Sequence, residues 1–336
     1  MAISEKISPG WKVILAFLLF VTVFLSSCII KTQRVYRVGI LSGADPFTDI
    51  ADGFISRMKE LGYIDGKNIR YDLQRTNSDP LAEERILKEF IKNKMSLVFA
   101  FPGGTATTAK QVLKGRKIPL VFAMAGIEGT DLVESISRPG DHITGVRFPN
   151  RESTSKRLEI LHELIPAARR IYIIYDAIYP NTPFALEAVR TTAASLGMVL
   201  LEDKADTLEE FKAAIQKRSD MDNAGIDAVL LMPDYLNHAP DGFGAIVNFA
   251  DKHKLPIGGG MDFTAEGGAM FSLVPGNFDQ GALAAGLADK ILRGVPAGVI
   301  PVVTPELRLR INYKVIQRLG LKAPEGLLSR ADEVIR

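Results

Sequence analysis

Cysteine is almost absent from this 336-residue chain, because Cys28 is its only one, so no intramolecular disulfide can form. Histidine is scarce too, and none of the four histidines has the spacing of metal ligands. The chain also lacks the Gly-Lys-Ser/Thr end of a P-loop, a Gly-x-Ser-x-Gly elbow and a Gly-x-Gly-x-x-Gly motif after a strand. We therefore expect no metal, no cofactor and no catalytic activity.

Excess charge is missing as well. The formal net charge is +2, and without Lys6, Lys12 and Glu5 near the amino terminus the remainder is close to neutral. This excludes the basic surface that nucleic-acid binding requires. Hydrophobic residues make up 47% and charged residues 24%, which is typical of a globular protein with a real core. Beyond the amino-terminal run, no apolar stretch is long enough to span a bilayer.

The amino-terminal run is the exception. Val13–Leu25 is apolar apart from one threonine, follows a segment with two lysines, and leads into Ser26-Ser27-Cys28. A short apolar region that ends in small residues predicts a secretory signal. Leu25–Cys28 resembles the lipobox of bacterial lipoproteins, which implies a signal peptide over 1–27, lipidation of Cys28 and a tether over 28–34. The alternative is an amino-terminal membrane anchor in which Cys28 has no role. Both interpretations place the protein outside the cytoplasm.

From Val35 onward, short apolar runs alternate with amphipathic segments. The pattern predicts strands over 35–41, 68–74, 97–100 and 119–123 and helices over 47–61, 80–93 and 105–113. A second series predicts helices over 151–164, 183–196, 207–217 and 243–253 and strands over 170–175, 198–201, 228–232, 256–258 and 270–273. A small-residue helix over 278–292 and a strand over 307–311 follow. Alternating strands and helices favour parallel sheets, so we predict an α/β fold with two doubly wound lobes. Glycine, proline and asparagine cluster at 145–150, where we place the boundary.

Several segments together carry a family likeness. They are Ile143–Val146, Lys156–Leu161, Ile165–Arg170, Ala228–Asp234, Leu255–Ile257, Glu266–Ala269, Ala288–Gly294, Leu309–Asn312 and Leu319–Leu321. In order and spacing they resemble substrate-binding proteins of ABC transporters, in the lipoprotein group that includes tryptophan/phenylalanine-type binders. The likeness covers essentially the whole chain after Cys28.

The resemblance implies a type I periplasmic-binding-protein fold, with two Rossmann-like lobes, a multi-strand hinge and a ligand in the cleft. It implies a first lobe of residues 35–146 plus 276–304 and a second of 147–275 plus 305–336. The expected function is capture of a small polar solute, an amino acid or similar, by hinge closure. The expected partners are an ABC permease and ATPase, with a lipid anchor to the membrane and no nucleic acid. An exported enzyme, or a ligand sensor for a membrane signalling protein, stays open as the alternative.

Ligands of open α/β sheets bind beyond the carboxyl ends of the strands, so the residues just after each apolar run are candidates. In the first lobe these are Ser42 and Asp45 after the first strand and Gly104 and Thr105 after the third. Asp45 could equally cap the next helix. Gly104 and Thr105 open a helix whose N–H groups suit an anion, although simple helix capping is the alternative. The resemblance also implies that Gly104-Thr105 lies against the ligand.

In the second lobe, Asn181 and Thr182 follow a strand, and the resemblance implies that they contact the ligand. Asp234 and Asp262 follow two further apolar runs, where a carboxylate could meet an ammonium group. Solvated loop carboxylates are the alternative for both. We expect Asp234 to lie on an open loop, so that its loss would change folding little.

Overall fold

Strands and helices alternate along the chain, and helices cover the sheets that the strands form. The computed structural model describes residues 35–44, 47–77 and 79–336. The predictions for the signal peptide, the tether, Cys28 and Asp45 fall outside these residues. No helix in the described part of the chain has the length and apolar character needed to cross a bilayer.

Every predicted strand and helix is present, within a few residues at each end, and the structure adds six short strands and α-helices that periodicity did not predict. The strands are β1 Tyr36–Ser42, β2 Ile69–Arg75, β3 Leu97–Phe101, β4 Leu120–Ala125, β5 Ile143–Arg147, β6 Arg170–Asp176, β7 Val199–Ala205, β8 Ala228–Leu230, β9 Ile257–Gly258, β10 Phe271–Val274, β11 Arg308–Asn312 and β12 Glu333–Ile335. The helices are α1 Thr48–Glu60, α2 Pro80–Lys92, α3 Gly103–Leu113, α4 Asn150–Leu164, α5 Thr182–Ser195, α6 Leu208–Ser219, α7 Tyr235–His238, α8 Pro240–His253, α9 Asp262–Glu266, α10 Asn277–Leu292, α11 Tyr313–Arg318 and α12 Glu325–Arg330.

Two sheets repeat one plan. The first has five parallel strands in the order β2-β1-β3-β4-β5, and the second has four parallel strands in the order β7-β6-β8-β9. In each, the first strand of the series lies between the second and the third. The order therefore reverses beside β1 in one sheet and beside β6 in the other, and such points are where doubly wound sheets bind ligands. The α/β, two-lobe prediction is confirmed.

Helices pack on both faces of the five-stranded sheet, and together they form the first lobe. Phe54 and Met58 of α1 share a core cluster with Ala284 and Ala288 of α10, a helix that comes more than two hundred residues later. The opposite face is covered by α2 and α3, through residues such as Phe90 and Ala106. The late small-residue helix thus completes the core of the first lobe.

The second lobe combines the four-stranded sheet with a three-stranded sheet of β10, β11 and β12. Leu158 and Leu161 of α4 pack with Ile316 of α11 in one cluster, and Phe211 of α6 packs with Phe249 of α8 in another. The backbone N–H of Met270 donates to Ile257 O over 2.8 Å, which joins β10 to β9.

The chain passes between the lobes after β5, after β10 and before β11. Arg147 ends β5, and its Nη1 donates to Glu128 Oε1 over 2.7 Å. The same guanidinium pairs with Glu152 on α4. Arg147 therefore ties the first passage to the loop after β4 and to the first helix of the second lobe.

Candidate functional site

The carboxyl ends of β1 and β3 meet at one edge of the first sheet. Ser42 lies opposite Phe101 in the strand register, and the backbone N–H of Gly43 donates to Phe101 O over 2.8 Å. Ser42 is buried, and its hydroxyl has no hydrogen-bond partner among the residues that the structure describes. A buried hydroxyl without a partner is costly in a native structure, so Ser42 fits a position that a ligand completes.

Gly104 and Thr105 occupy the first turn of α3, as predicted, but differ in their exposure to solvent and in their contacts. Gly104 is exposed, and a side chain added there would meet nothing within 4 Å. Thr105 is buried, and its hydroxyl donates to Glu83 Oε1 over 2.7 Å. A Cβ on Gly43 would lie 1.8 Å from that hydroxyl. Because the hydroxyl already donates to Glu83, the first-turn N–H groups are what this helix end presents to an anion.

The second sheet offers Asn181 and Thr182 at the amino end of α5. Both side chains are buried, and within the described part of the chain Asn181 Oδ1 and Thr182 Oγ1 have no hydrogen-bond partner. Asp176, which ends β6, accepts hydrogen bonds from the backbone N–H groups of Ile178 and Tyr179, each over 3.1 Å. That turn fixes the loop from which Asn181 and Thr182 project.

The lobes touch beside Asn181. A Cβ on Gly126, in the segment after β4, would lie 2.3 Å from Asn181 Nδ2 and 2.4 Å from Asn150 Nδ2. A Cβ on Gly129 would lie 2.5 Å from Pro180 O. The glycines of this first-lobe segment therefore permit close approach to the loop after β6, and Asn181 lies where the two lobes meet.

Asp234 does not lie on an open loop, so that part of its prediction is wrong. Its side chain is 4% exposed, and one carboxylate oxygen accepts from the backbone N–H of Asn237 over 2.9 Å. The other accepts from the backbone N–H of Asp176 over 3.2 Å, and Asn237 Nδ2 donates to both. Burial raises the pKa of Asp234 to about 7, against the lowering effect of these hydrogen bonds. Asp234 thus caps α7 and joins it to the end of β6.

Asp262 begins α9, and its side chain contacts residues of the three-stranded sheet. Its Oδ1 accepts from the Ser272 hydroxyl over 2.7 Å, and Arg310 Nη1 lies 3.7 Å away. The side chain is 45% exposed. These contacts join Asp262 to the three-stranded sheet rather than to Asn181 or Asp234.

In the described part of the chain, six further residues have a side-chain polar atom that is covered and unpartnered, among them Tyr71, Glu128 and His162. The other three are residues that sequence reasoning did not consider as site residues. They are Arg157 on α4, His238 on α7 and Gln280 on α10, through Nη1, Nε2 and Oε1 respectively. Gln280 is fully buried, and its Nε2 points to Met124 Sδ at 3.4 Å. A signal existed for Arg157, because it lies four residues before Leu161 and seven before Leu164, on the apolar stripe of its helix, where a charged side chain is unusual.

Arg157 is fully buried without an acidic partner among the described residues. Its Nε and Nη2 both donate to Leu273 O, each over 3.2 Å. Burial lowers the pKa of Arg157 to about 10, so it remains cationic at neutral pH. Within the described ranges, no group of three or more His, Cys, Asp or Glu residues could hold a metal ion. The unpartnered polar atoms therefore suit an organic ligand with hydrogen-bonding groups.

The sequence of the chain is similar to those of known proteins. A family model described as ABC transporter substrate binding protein matches residues 38–335. The tyrosine-binding protein of Clostridioides difficile strain R20291 is 26% identical over 271 residues, which are 80% of this chain and 76% of that protein.

Two solved structures show the same fold. A domain from Streptococcus pneumoniae in complex with L-Trp superposes with a TM-score of 0.77 at 22% identity, over 89% of this chain and 99% of that one. A ligand-free, open structure of a substrate-binding protein with adhesive properties from Clostridium difficile gives 0.73 at 23% identity, over 89% and 99% of the two chains.

Proposed function

Because the chain belongs to the family of ABC transporter substrate-binding proteins, we propose that it captures a small polar solute, an amino acid or similar, between its two lobes. Family membership makes it an extracytoplasmic binding protein rather than an enzyme. Of the similar proteins described above, one is a tyrosine-binding protein and another was solved in complex with L-Trp, which supports an amino acid as the class of solute.

One observation carries this proposal: both lobes contribute polar atoms that are covered and have no partner in the part of the chain that the structure describes. Ser42 and Gln280 belong to the first lobe, and Asn181, Thr182 and Arg157 belong to the second. Each such atom is costly unless something completes it, and a ligand held between the lobes can do so for both. A ligand that contacts both lobes stabilises the closed arrangement by the contacts it makes only there.

We propose lobe limits of 35–146 plus 276–304 and 147–275 plus 305–336. The core clusters support this division, since Ala284 and Ile300 pack with β1 and β3, whereas Leu309 and Ile316 pack with β6 and β10. The tether at 28–34, lipidation of Cys28 and delivery to an ABC permease and its ATPase complete the proposed role. The signal-like sequence before Cys28 and the family support these points.

Calorimetric titration tests the binding function. The purified protein is titrated with each of the twenty common amino acids, several dipeptides and neutral sugars, with chemical turnover assayed alongside. We expect saturable binding of at least one solute without turnover. Turnover of a bound compound, or no binding across the whole panel, would contradict the proposal.

A further inference from the structure

Arg157 and His238 differ from the other unpartnered groups because one is a buried cation and the other an imidazole whose pKa is lowered by burial. Arg157 carries a full positive charge in the interior, and only one carbonyl oxygen, that of Leu273, compensates it. A buried charge without an opposite charge is strongly unfavourable. The remaining donor, Nη1, has no partner in residues 35–44, 47–77 and 79–336, so these residues leave the charge of Arg157 without full compensation.

His238 presents a hydrogen-bond acceptor, whereas Arg157 presents a donor. Its Nδ1 lies 2.8 Å from the backbone oxygen of Asp234. A carbonyl oxygen can only accept, so Nδ1 carries the proton. Burial lowers the pKa of His238 to about 4, so the ring is neutral at neutral pH and Nε2 is a hydrogen-bond acceptor. The residue is partly exposed as a whole, but Nε2 itself is covered by protein and has no donor.

The segment after β9 places the two side chains in one region. A Cβ on Gly259 would lie 2.8 Å from Arg157 Cδ, so only glycine leaves room for the arginine there. Four residues later, the ring of Phe263 lies edge-on to the ring of His238, with centroids 6.1 Å apart. The charge of Arg157 is also near enough to help lower the pKa of His238.

We infer that Arg157 and His238 form the subsite for the polar head of the ligand, with a carboxylate bound to Arg157 Nη1 and a neighbouring N–H or O–H donated to His238 Nε2. The inference rests on the proposed binding function. A carboxylate supplies the charge that Arg157 lacks, through a charge-assisted hydrogen bond. It would repel the lone pair of Nε2, so the group that meets His238 is a donor beside the carboxylate. α-Amino acids and 2-hydroxy acids both present this pair.

Thermal shift and calorimetry on the wild-type protein test this without any variant. The probes are the twenty amino acids, the amides of tyrosine and tryptophan, the 2-hydroxy acids L-lactate and L-phenyllactate, and the neutral polyol myo-inositol. We expect stabilisation by an acid and at least tenfold weaker binding of the matching compound that lacks the carboxylate. The comparison of amino acid with hydroxy acid tells which donor meets His238.

Two variants locate the subsite, and a third is the control. Arg157→Gln and His238→Gln should each weaken binding of the best acid at least tenfold. Arg318→Gln changes an exposed arginine of α11 and should leave the affinity unchanged. Circular dichroism establishes that each variant is folded. If Arg157→Gln does not fold, the comparison of the acid with its amide on the wild-type protein tests the subsite instead.

The outcomes separate this inference from the function on which it rests. If myo-inositol or an amide binds as tightly as any acid, the subsite is wrong but the binding function stands. If folded Arg157→Gln binds the acid with wild-type affinity, the subsite is likewise wrong. If no probe and no solute of the wider panel binds, both the function and the subsite fail.

Discussion

Arg147 and Thr304 lie on two different passages of the chain between the lobes, and Arg147 Nε donates to the Thr304 hydroxyl over 2.8 Å. The Arg147 side chain is only 8% exposed. Because the same guanidinium also pairs with Glu128 and Glu152, one side chain joins two hinge passages, the loop after β4 and the first helix of the second lobe. The hinge is thus held by a shared cation rather than by strand pairing alone.

Replacement of Arg147 by a neutral residue should lower the free energy of unfolding. We expect Arg147→Gln to lower the free energy of unfolding by about 3 kcal/mol, because it leaves the mostly covered Glu128 without its partner. Urea unfolding followed by circular dichroism measures the change. Arg57→Gln, which breaks an exposed pair with Glu60, is the matched control and should cost less than about 1 kcal/mol. Equal effects of the two variants would contradict a special role for Arg147.

Asp234 should matter for stability. Asp234→Ala removes the cap of α7 and leaves the backbone N–H of Asp176 without its acceptor, so we expect a loss of about 2 kcal/mol or more in urea unfolding. Asp79→Ala, which removes the more exposed cap of α2, should cost about 1 kcal/mol. A stability of Asp234→Ala equal to that of the wild type would restore the view of Asp234 as an open-loop residue.

The pH dependence should reveal the neutral ring of His238. Its pKa of about 4 lies below the ordinary value near 6.5, so between these values the unfolded chain binds a proton that the folded protein does not. Stability therefore falls as pH falls through this window, by up to about 1.4 kcal/mol per pH unit. We expect the stability difference between wild type and His238→Gln to shrink or reverse from about pH 7 to about pH 4.5.

The raised pKa of Asp234 acts in the opposite direction, since the folded protein then holds a proton that the unfolded chain releases. That contribution is common to wild type and His238→Gln, so the difference between them isolates the histidine. A difference that does not change with pH would show that His238 is not held neutral.

Two glycines of α10 should respond in opposite ways to alanine. A Cβ on Gly281 would lie 1.9 Å from Ile50 O on α1, whereas a Cβ on Gly286 would meet nothing within 4 Å. We expect Gly281→Ala to destabilise the protein by more than about 2 kcal/mol through forced separation of the helices. Gly286→Ala should stabilise it by about 0.5–1 kcal/mol through the higher helix propensity of alanine. Thermal unfolding of both variants checks the contrast.

The proposed lipid anchor is tested by Cys28→Ser. We expect this variant to lose its acyl chains and leave the membrane fraction, with unchanged solute affinity, because the thiol is the only attachment point. Mass spectrometry of the amino terminus and cell fractionation provide the measurements. Full retention in the membrane with an intact amino terminus would instead favour the uncleaved anchor.

The sequence predicted the order of elements better than the site. Periodicity located β1, β3 and α4 to within a residue or two, because their apolar residues repeat at the spacing of a strand or a helix. It missed β5, β12 and the short helices α7, α9, α11 and α12, since a segment of three to six residues is too short to show a period. Pairing across the sheets depends on contacts distant in sequence, which periodicity does not record.

The sequence also predicted some features of the candidate site and missed others. The rule about strand ends selected Ser42, and the resemblance selected Asn181 and Thr182. A polar atom of each side chain is covered and has no partner among the described residues, and their contact with a ligand stays a prediction. The rule assigned Thr105 and Asp234 without showing that their side chains are already bonded to Glu83 and Asn237. Arg157 was not predicted because arginine on a helix normally faces solvent, although its spacing from Leu161 places it on the buried face.

Helix α10 has a consequence for the order in which the chain can fold. It supplies one side of the first-lobe core, yet it ends at Leu292, long after β5 closes the first sheet. During synthesis the core of the first lobe therefore lacks one of its packing helices until the residues up to Leu292 have emerged from the ribosome. Such distant contacts slow folding, because a long loop must close before they form. A chain that stays incompletely folded during synthesis is in the state that threading through a secretion channel requires.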